Sequence, residues 1–294
     1  MTSLTHRLVL LILKLKGVKK DFSQHPIDFK KIRKEDIHQP KHKQFSKSLI
    51  SQFEISETIV TEIKPKQNCD KKLLLFIHGG AFISGPAKHH WDVIQQIKKH
   101  TNTTIWMCDY PKAPEAKIDK ISKNIDAVYA SAIKKYTPNQ ITLIGDSVGG
   151  TLATALTQRL VLKNMAVPNK LILISPVMDA TISNPKIEVL DKIDPMLSKL
   201  GVLSAKKMCA ENNNLNDVMI SPLNGNFEQF PKTILFLAEN DITYPDQQIA
   251  VKKLDNANVP NEVIIGKKMP HIWPLLPVMS EAKSALKKII THLN

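Results

Sequence analysis

A chain of 294 residues, 43% hydrophobic, is long enough to bury one large domain, or one domain with an appendage. Its formal net charge of +14 is almost wholly lysine. Only Arg7, Arg33 and Arg159 are arginines, and base and phosphate recognition leans on arginine's bidentate fork. The lysines are scattered with no aromatic residues interleaved, so the charge reads as a solvated surface and argues against a nucleic-acid partner.

Three cysteines, Cys69, Cys108 and Cys209, show no CxxC spacing. That argues against a disulfide framework or a zinc site and points to a reducing, cytoplasmic compartment. At the N-terminus the apolar run Leu8–Leu13 is broken by Lys14 and Lys16. It is too short to span a bilayer, and "KLKGVKKDF" offers no cleavage site. Leu4, Leu8, Leu11, Leu15 and Val18 recur instead at the spacing of an amphipathic helix.

Residues 1–50 read as a helical, lysine-rich segment, and 51–294 as the main domain. In chain order the predicted strands are Ile55–Ile63, Lys72–Ile77, Thr104–Asp109, Ile141–Gly145, Lys170–Ser175, Thr233–Ala238 and Glu262–Ile265. Helical patterns fall at Lys88–His100, Ile118–Lys135, Val148–Lys163, Asp246–Asn256 and Val278–His292. Alternation of this kind, with strands apolar on both faces, predicts an α/β fold with a mostly parallel sheet covered by helices. The irregular stretch from Asp179 to Phe230 is too long for a loop and reads as an insertion over the sheet, centred on 181–220.

In open parallel sheets function gathers at the carboxyl ends of strands. After "ITLIG" comes "GDSVGG", a G-x-S-x-G pattern in a strand–turn–helix setting. Ser147 sits on a turn sharp enough to require glycine two positions either side, at Gly145 and Gly149. A serine nucleophile needs a base, and the base an orienting acid, in the order Ser, Asp or Glu, His. Of the two histidines that follow, His292 lies near the C-terminus on a helix, while His271 follows the last strand in a proline-flanked loop; His271 is the candidate base. The loop after "TILFLA" offers Glu239, Asp241 and Asp246 as the acid. Asp241 is favoured on placement, Asp246 resembling a helix N-terminal carboxylate and Glu239 being still attached to the strand end.

The stretch "LLLFIHGGAF" supplies the complement. Acyl transfer creates an oxyanion that fixed N–H donors must meet. Gly79, Gly80 and Ala81 offer such donors opposite the N–H of Val148.

Together "HGGAF", "DYPKAPE", "GDSVGG", "SPVMD", "SPL", "LAENDITYPD" and "PHIWP" resemble the hormone-sensitive-lipase-like family of α/β-hydrolases from Lys72 to the C-terminus. The resemblance implies an α/β-hydrolase fold with eight strands and a helical cap from the N-terminal region and the insertion. It implies ester hydrolysis without metal or cofactor, with oxyanion donors chiefly at Gly80, Ala81 and Val148. His78, Asp146 and Glu115 match the family's motifs as structural supports. Two positions depart from the pattern: Ala81 replaces the third glycine and Pro111 the usual arginine. The leucine stripe of the first helix suits either a lid or an interfacial helix, with no stable membrane insertion; because the resemblance places N-terminal helices over the site, it is expected to pack as a lid on the sheet face near Ser147.

The leading expectation is a serine hydrolase of small-molecule esters with short to medium acyl chains, lactones included, acting through Ser147, His271 and Asp241. An amidase or formamidase on the same triad is the alternative. A non-catalytic small-molecule binding protein of this fold ranks lower, because all three residues are present.

Overall fold

The computed structural model describes residues 2–40, 45, 50–65 and 71–294; Cys69 lies outside them. Eight strands form one sheet: β1 (Ile50–Ile55), β2 (Thr58–Ile63), β3 (Leu73–Ile77), β4 (Thr104–Asp109), β5 (Ile141–Asp146), β6 (Lys170–Ile174), β7 (Lys232–Ala238) and β8 (Asn261–Gly266). They lie in the order β1-β2-β4-β3-β5-β6-β7-β8. The hairpin β1–β2 and the β2–β4 pairing are antiparallel, and every later pairing is parallel. The single strand expected over Ile55–Ile63 is therefore two strands, turning at Ser56 and Glu57. Ser56 takes a positive φ of 56° there, without the glycine or asparagine that usually announces such a turn.

The central strands are apolar throughout because both faces are covered. Leu73, Leu75 and Ile77 of β3 join one core, while Leu74 and Phe76 join the other. This is the alternation that the pleat imposes. The first face is covered by α5 (Ile118–Ala132), α6 (Val148–Leu162) and α9 (Tyr244–Asn256). The second is covered by α4 (Lys88–His100) and α10 (Ser280–Leu293). At about 1.5–3 kcal/mol for each large apolar side chain fully buried, the sheet centre supplies much of the fold's hydrophobic stabilisation.

The N-terminal region is only partly helical: α1 (Leu4–Leu15), α2 (Val18–Asp21) and α3 (Phe29–Ile32). Between β6 and β7 lie α7 (Ile187–Ile193) and α8 (Lys199–Cys209). Helix α1 is tied to α10 by bonds from Ser3 N and Oγ to Glu281, each 2.8 Å. His6 Nε2 also reaches the carbonyl of Lys268 at 3.2 Å. The chain then crosses the carboxyl ends of the strands. Lys19 reaches the carbonyls of Asp191 and Asp194, Ile27 N donates to Ser204 Oγ at 3.0 Å, and Gly85 N donates to Asp36 at 2.6 Å.

The expected packing of α1 is corrected by the structure. Leu4, Leu8, Leu11 and Leu15 are exposed, and the buried face is His6, Val9 and Leu13. Period alone fixed that there was a stripe, but the contacts with α10 and the Lys268 loop selected the opposite side. Among the described residues no helix is long and apolar enough to cross a membrane.

Candidate active site

Strand β5 ends at Asp146 and α6 starts at Val148, so Ser147 alone makes the turn, with φ 51° and ψ −122°. A non-glycine residue in this region carries strain of order 1–3 kcal/mol. Ser147 N donates to Ile174 O at 2.9 Å, and Ser147 O accepts from Gly150, Thr151 and Val177, which over-determine the turn. The flanking glycines are required sterically. A Cβ on Gly149 would stand 1.9 Å from Ile77 O, and one on Gly145 2.3 Å from Gly149 O.

His271 sits in the loop after β8, held where Ile272 N donates to Ser175 Oγ at 3.0 Å, next to the end of β6. Its Nδ1 lies 2.6 Å from Asp241 Oδ2, and both residues are buried. Asp241 Oδ1 accepts from Thr243 N and Oγ1 at 2.8 and 2.7 Å, and Gln247 Nε2 reaches Oδ2 at 3.3 Å. Burial alone would pull the His271 imidazole down. The Asp241 charge and hydrogen bond, with help from Asp194 and Asp146, outweigh burial and hold its pKa above the ordinary value.

The other two carboxylates have different partners. Asp246 accepts from Asn184 Nδ2 at 2.8 Å, and burial pushes its pKa up to about 6. Glu239 accepts from Lys268 N at 2.8 Å. The other late histidine, His292, stands 3.1 Å from Glu262, away from this cluster.

The loop after β3 supports the same point in space. Gly80 has φ 116°, and a Cβ there would come 2.2 Å from Ser84 O. Its carbonyl accepts from Ile83 N and Ser84 N, closing a tight turn that leads into Ala81 at φ 55°. Gly79 N, however, donates to Asp146 Oδ1 at 3.0 Å. That N–H is already used, which removes Gly79 from the three backbone donors expected after His78. Among the described residues the N–H groups of Gly80, Ala81 and Val148 have no protein acceptor.

Three supports went unread in the sequence. His90 accepts from Ala87 N through Nδ1 at 2.9 Å, so its Nε2–H donates to Asp146, 3.2 Å away. Asp146 thereby fixes Gly79 on one side while being held by His90 on the other. His89, His90 and Asp146 form the one metal-like group among the described residues, with one ligand atom each within 4.8 Å of the others; hydrogen bonds already account for the His90–Asp146 pair. Arg33 is the second. It donates to Ile83 O at 2.7 Å, Ala113 O at 2.7 Å, and both oxygens of Glu115 at 2.9 and 2.7 Å. Glu115 thus finds its arginine in the N-terminal segment, Pro111 having replaced the one in its own motif. Asp194, from the stretch between α7 and α8, is the third. Its carboxylate accepts from Met196, Leu197 and Ile242 N–H groups at 2.7–2.9 Å.

His78 is neutral and structural. It is wholly buried, its pKa held well below the ordinary value by burial first and then by nearby positive groups, and its ring stacks on Tyr110 at 4.5 Å.

Residues 74–275 match the family described as alpha/beta hydrolase fold. The chain belongs to that family. Within the α/β-hydrolases it is similar to an esterase of Acinetobacter venetianus, 30% identical over 67% of this chain and 66% of that protein. It is also similar to esterase LipU of Mycobacterium tuberculosis, 27% identical over 74% of this chain and 76% of that protein. The hormone-sensitive lipase of Mus musculus matches at 28% over 49% of this chain but only 20% of its own length. The crystal structure of a putative esterase from Staphylococcus aureus superposes with a TM-score of 0.82 and 29% identity, covering 90% of this chain and 89% of that one. The resemblance to hormone-sensitive-lipase-like hydrolases and the eight-stranded α/β-hydrolase fold hold. The chain spans 66%, 62% and 60% of the length of three of the relatives it matches.

Proposed function

We propose that the protein is a serine carboxylesterase in which Ser147 is the nucleophile, His271 the general base and Asp241 its orienting acid. The observation that carries the reading is the 2.6 Å contact between His271 Nδ1 and Asp241 Oδ2, with His271 near enough to Asp146, the residue before the strained Ser147 turn, to feel its charge. With Nδ1–H given to Asp241, Nε2 is the imidazole atom left to accept a proton. Ser147 Oγ attacks the ester carbonyl, its proton passes to Nε2, and the oxyanion forms facing the N–H groups of Gly80, Ala81 and Val148. Collapse expels the alcohol, which takes the proton from His271 and leaves an acyl-serine. Water, deprotonated by the same imidazole, attacks the acyl-serine to release the acid and restore Ser147. Removing one oxyanion donor in sites of this kind costs about 10²–10³ in kcat.

Ser147 is only 8% exposed, which favours short to medium acyl groups, lactones among them, over long chains. The two described cysteines, Cys108 and Cys209, are free and buried, consistent with a reducing, cytoplasmic setting. The test is labelling with a fluorophosphonate and mapping of the adduct by mass spectrometry, alongside hydrolysis of p-nitrophenyl esters of graded chain length. An adduct on Ser147, lost in a folded Ser147→Ala variant that has also lost about 10⁶ in kcat, is the expected result. A fully active Ser147→Ala protein refutes the reading.

A further inference from the structure

The outward face of α1 belongs to no part of the site or core. Leu4, Leu8, Leu11 and Leu15 are 80%, 49%, 53% and 78% exposed, and Ile12 is 37% exposed beside them. At about 100° per residue the four leucines fall within an arc of roughly 60°, opposite the buried His6, Val9 and Leu13. Exposed single leucines need no explanation, but a contiguous stripe of this kind marks an interaction surface.

The charge around the stripe says what it meets. The first twenty residues carry Arg7, Lys14, Lys16, Lys19 and Lys20 and no carboxylate; Asp21 is the first acidic residue of the chain. Lys19 is spent on the carbonyls of Asp191 and Asp194. Arg7, Lys14, Lys16 and Lys20 are exposed, and none is in an ion pair among the described residues. A second copy of this chain is a poor occupant, since it would bring the same cations face to face in a protein of net charge +14.

We propose that the outward face of α1 docks the protein on an anionic lipid surface, lying in the interface with its leucines among the acyl chains and its cations at the headgroups. The helix is suited to this by being fixed on its other side. Ser3 bonds Glu281, and Val9 and Leu13 pack in the core that contains Ile272 and Trp273. The docked face is thus rigidly linked to the loop that carries His271. Peripheral binding of this kind needs both components, apolar insertion and basic attraction, because neither alone holds a protein stably. It is independent of the esterase reading.

The test is co-sedimentation of the full chain with phosphatidylcholine vesicles, with and without phosphatidylglycerol. Each Lys or Arg near an anionic surface multiplies partitioning about fivefold, so binding to the anionic vesicles should exceed that to neutral ones by at least about tenfold and fall as salt is raised. The Leu8→Ser/Leu11→Ser variant should lose this binding while keeping the wild-type melting transition and the wild-type rate on p-nitrophenyl acetate. Arg7→Glu/Lys14→Glu should lose the anionic preference. The proposal fails if the wild type stays in the supernatant or the leucine variant sediments like the wild type. It fails equally if the stripe instead mediates a concentration-dependent dimer that the leucine variant abolishes.

Discussion

Asp194 lies against the residue that follows Asp241: its Oδ2 accepts the N–H of Ile242 at 2.9 Å, and its own side chain is 1% exposed. Two carboxylates are therefore buried side by side, one from the end of α7 and one from the loop after β7. Burial first, and then the Asp241 charge, push the Asp194 pKa up to about 7.

This pairing predicts the acid limb of activity. His271 must be neutral to accept a proton, and its pKa is held above 6.5, so kcat/KM should fall as pH drops through a value above 6.5. Asp194 contributes to that elevation when ionised. In Asp194→Asn the acid limb should move to lower pH, while Asp241→Asn should cut kcat by about 10⁴ by favouring the wrong tautomer. Full pH–rate profiles of the two variants on one soluble ester decide it; an unmoved limb in Asp194→Asn removes that residue from the account.

Asp246→Asn is the control carboxylate. It bonds Asn184, not His271, so kcat should stay within about threefold of wild type, less than 1 kcal/mol of barrier. A loss as large as that of Asp241→Asn would mean that the acid has been misassigned.

Arg33 ties the N-terminal segment to the loop carrying Gly80 and Ala81, since Ile83 both donates to Gly80 O and accepts from Arg33. Arg33→Ala should lower kcat by about tenfold, or roughly 1.4 kcal/mol, with little change in KM. Arg33→Lys should not restore it, because an ammonium cannot fork across Ile83, Ala113 and Glu115 together. Steady-state kinetics of both variants separate this from a general loss of fold, which melting curves would report.

Lys206 of α8 is fully buried, its Nζ has no hydrogen-bond partner among the described residues, and it stands 4.3 Å over the ring of Phe82. Burial pulls its pKa from 10.5 down to about 7. Between those values the unfolded chain binds a proton that the native state does not, so this group's stability penalty is full below about pH 7 and fades toward 10.5. Lys206→Met should therefore raise stability by at least about 1 kcal/mol near pH 6 and change it little near pH 10. Denaturant melts at the two pH values test the sign.

Much of this was legible because the relevant sterics are local. The demands at Ser147 are met by residues two places away, and the apolar strands are continuous because the pleat serves two cores. The contact of His271 with Asp241 followed from chain order and loop position. Three kinds of feature were not legible. The β1–β2 turn at Ser56 uses none of the usual turn residues. His90, Arg33 and Asp194 reach partners 48 or more residues distant, and no periodicity encodes that. The leucines of α1 form the expected stripe, yet a hydrophobic period says only that a face exists, not that the protein itself covers it. Gly79 differs from its expectation for a related reason: its N–H is available by sequence and taken by Asp146 in space.

The bond between Ser3 and Glu281 joins residues 278 positions apart. Synthesis runs from α1 to α10, so α1 stays undocked until the sheet and every helix between them have been made. The loop bearing His271 is itself late and settles against α10. Both α1 and that loop therefore lack the surface they pack on until α10 has been made.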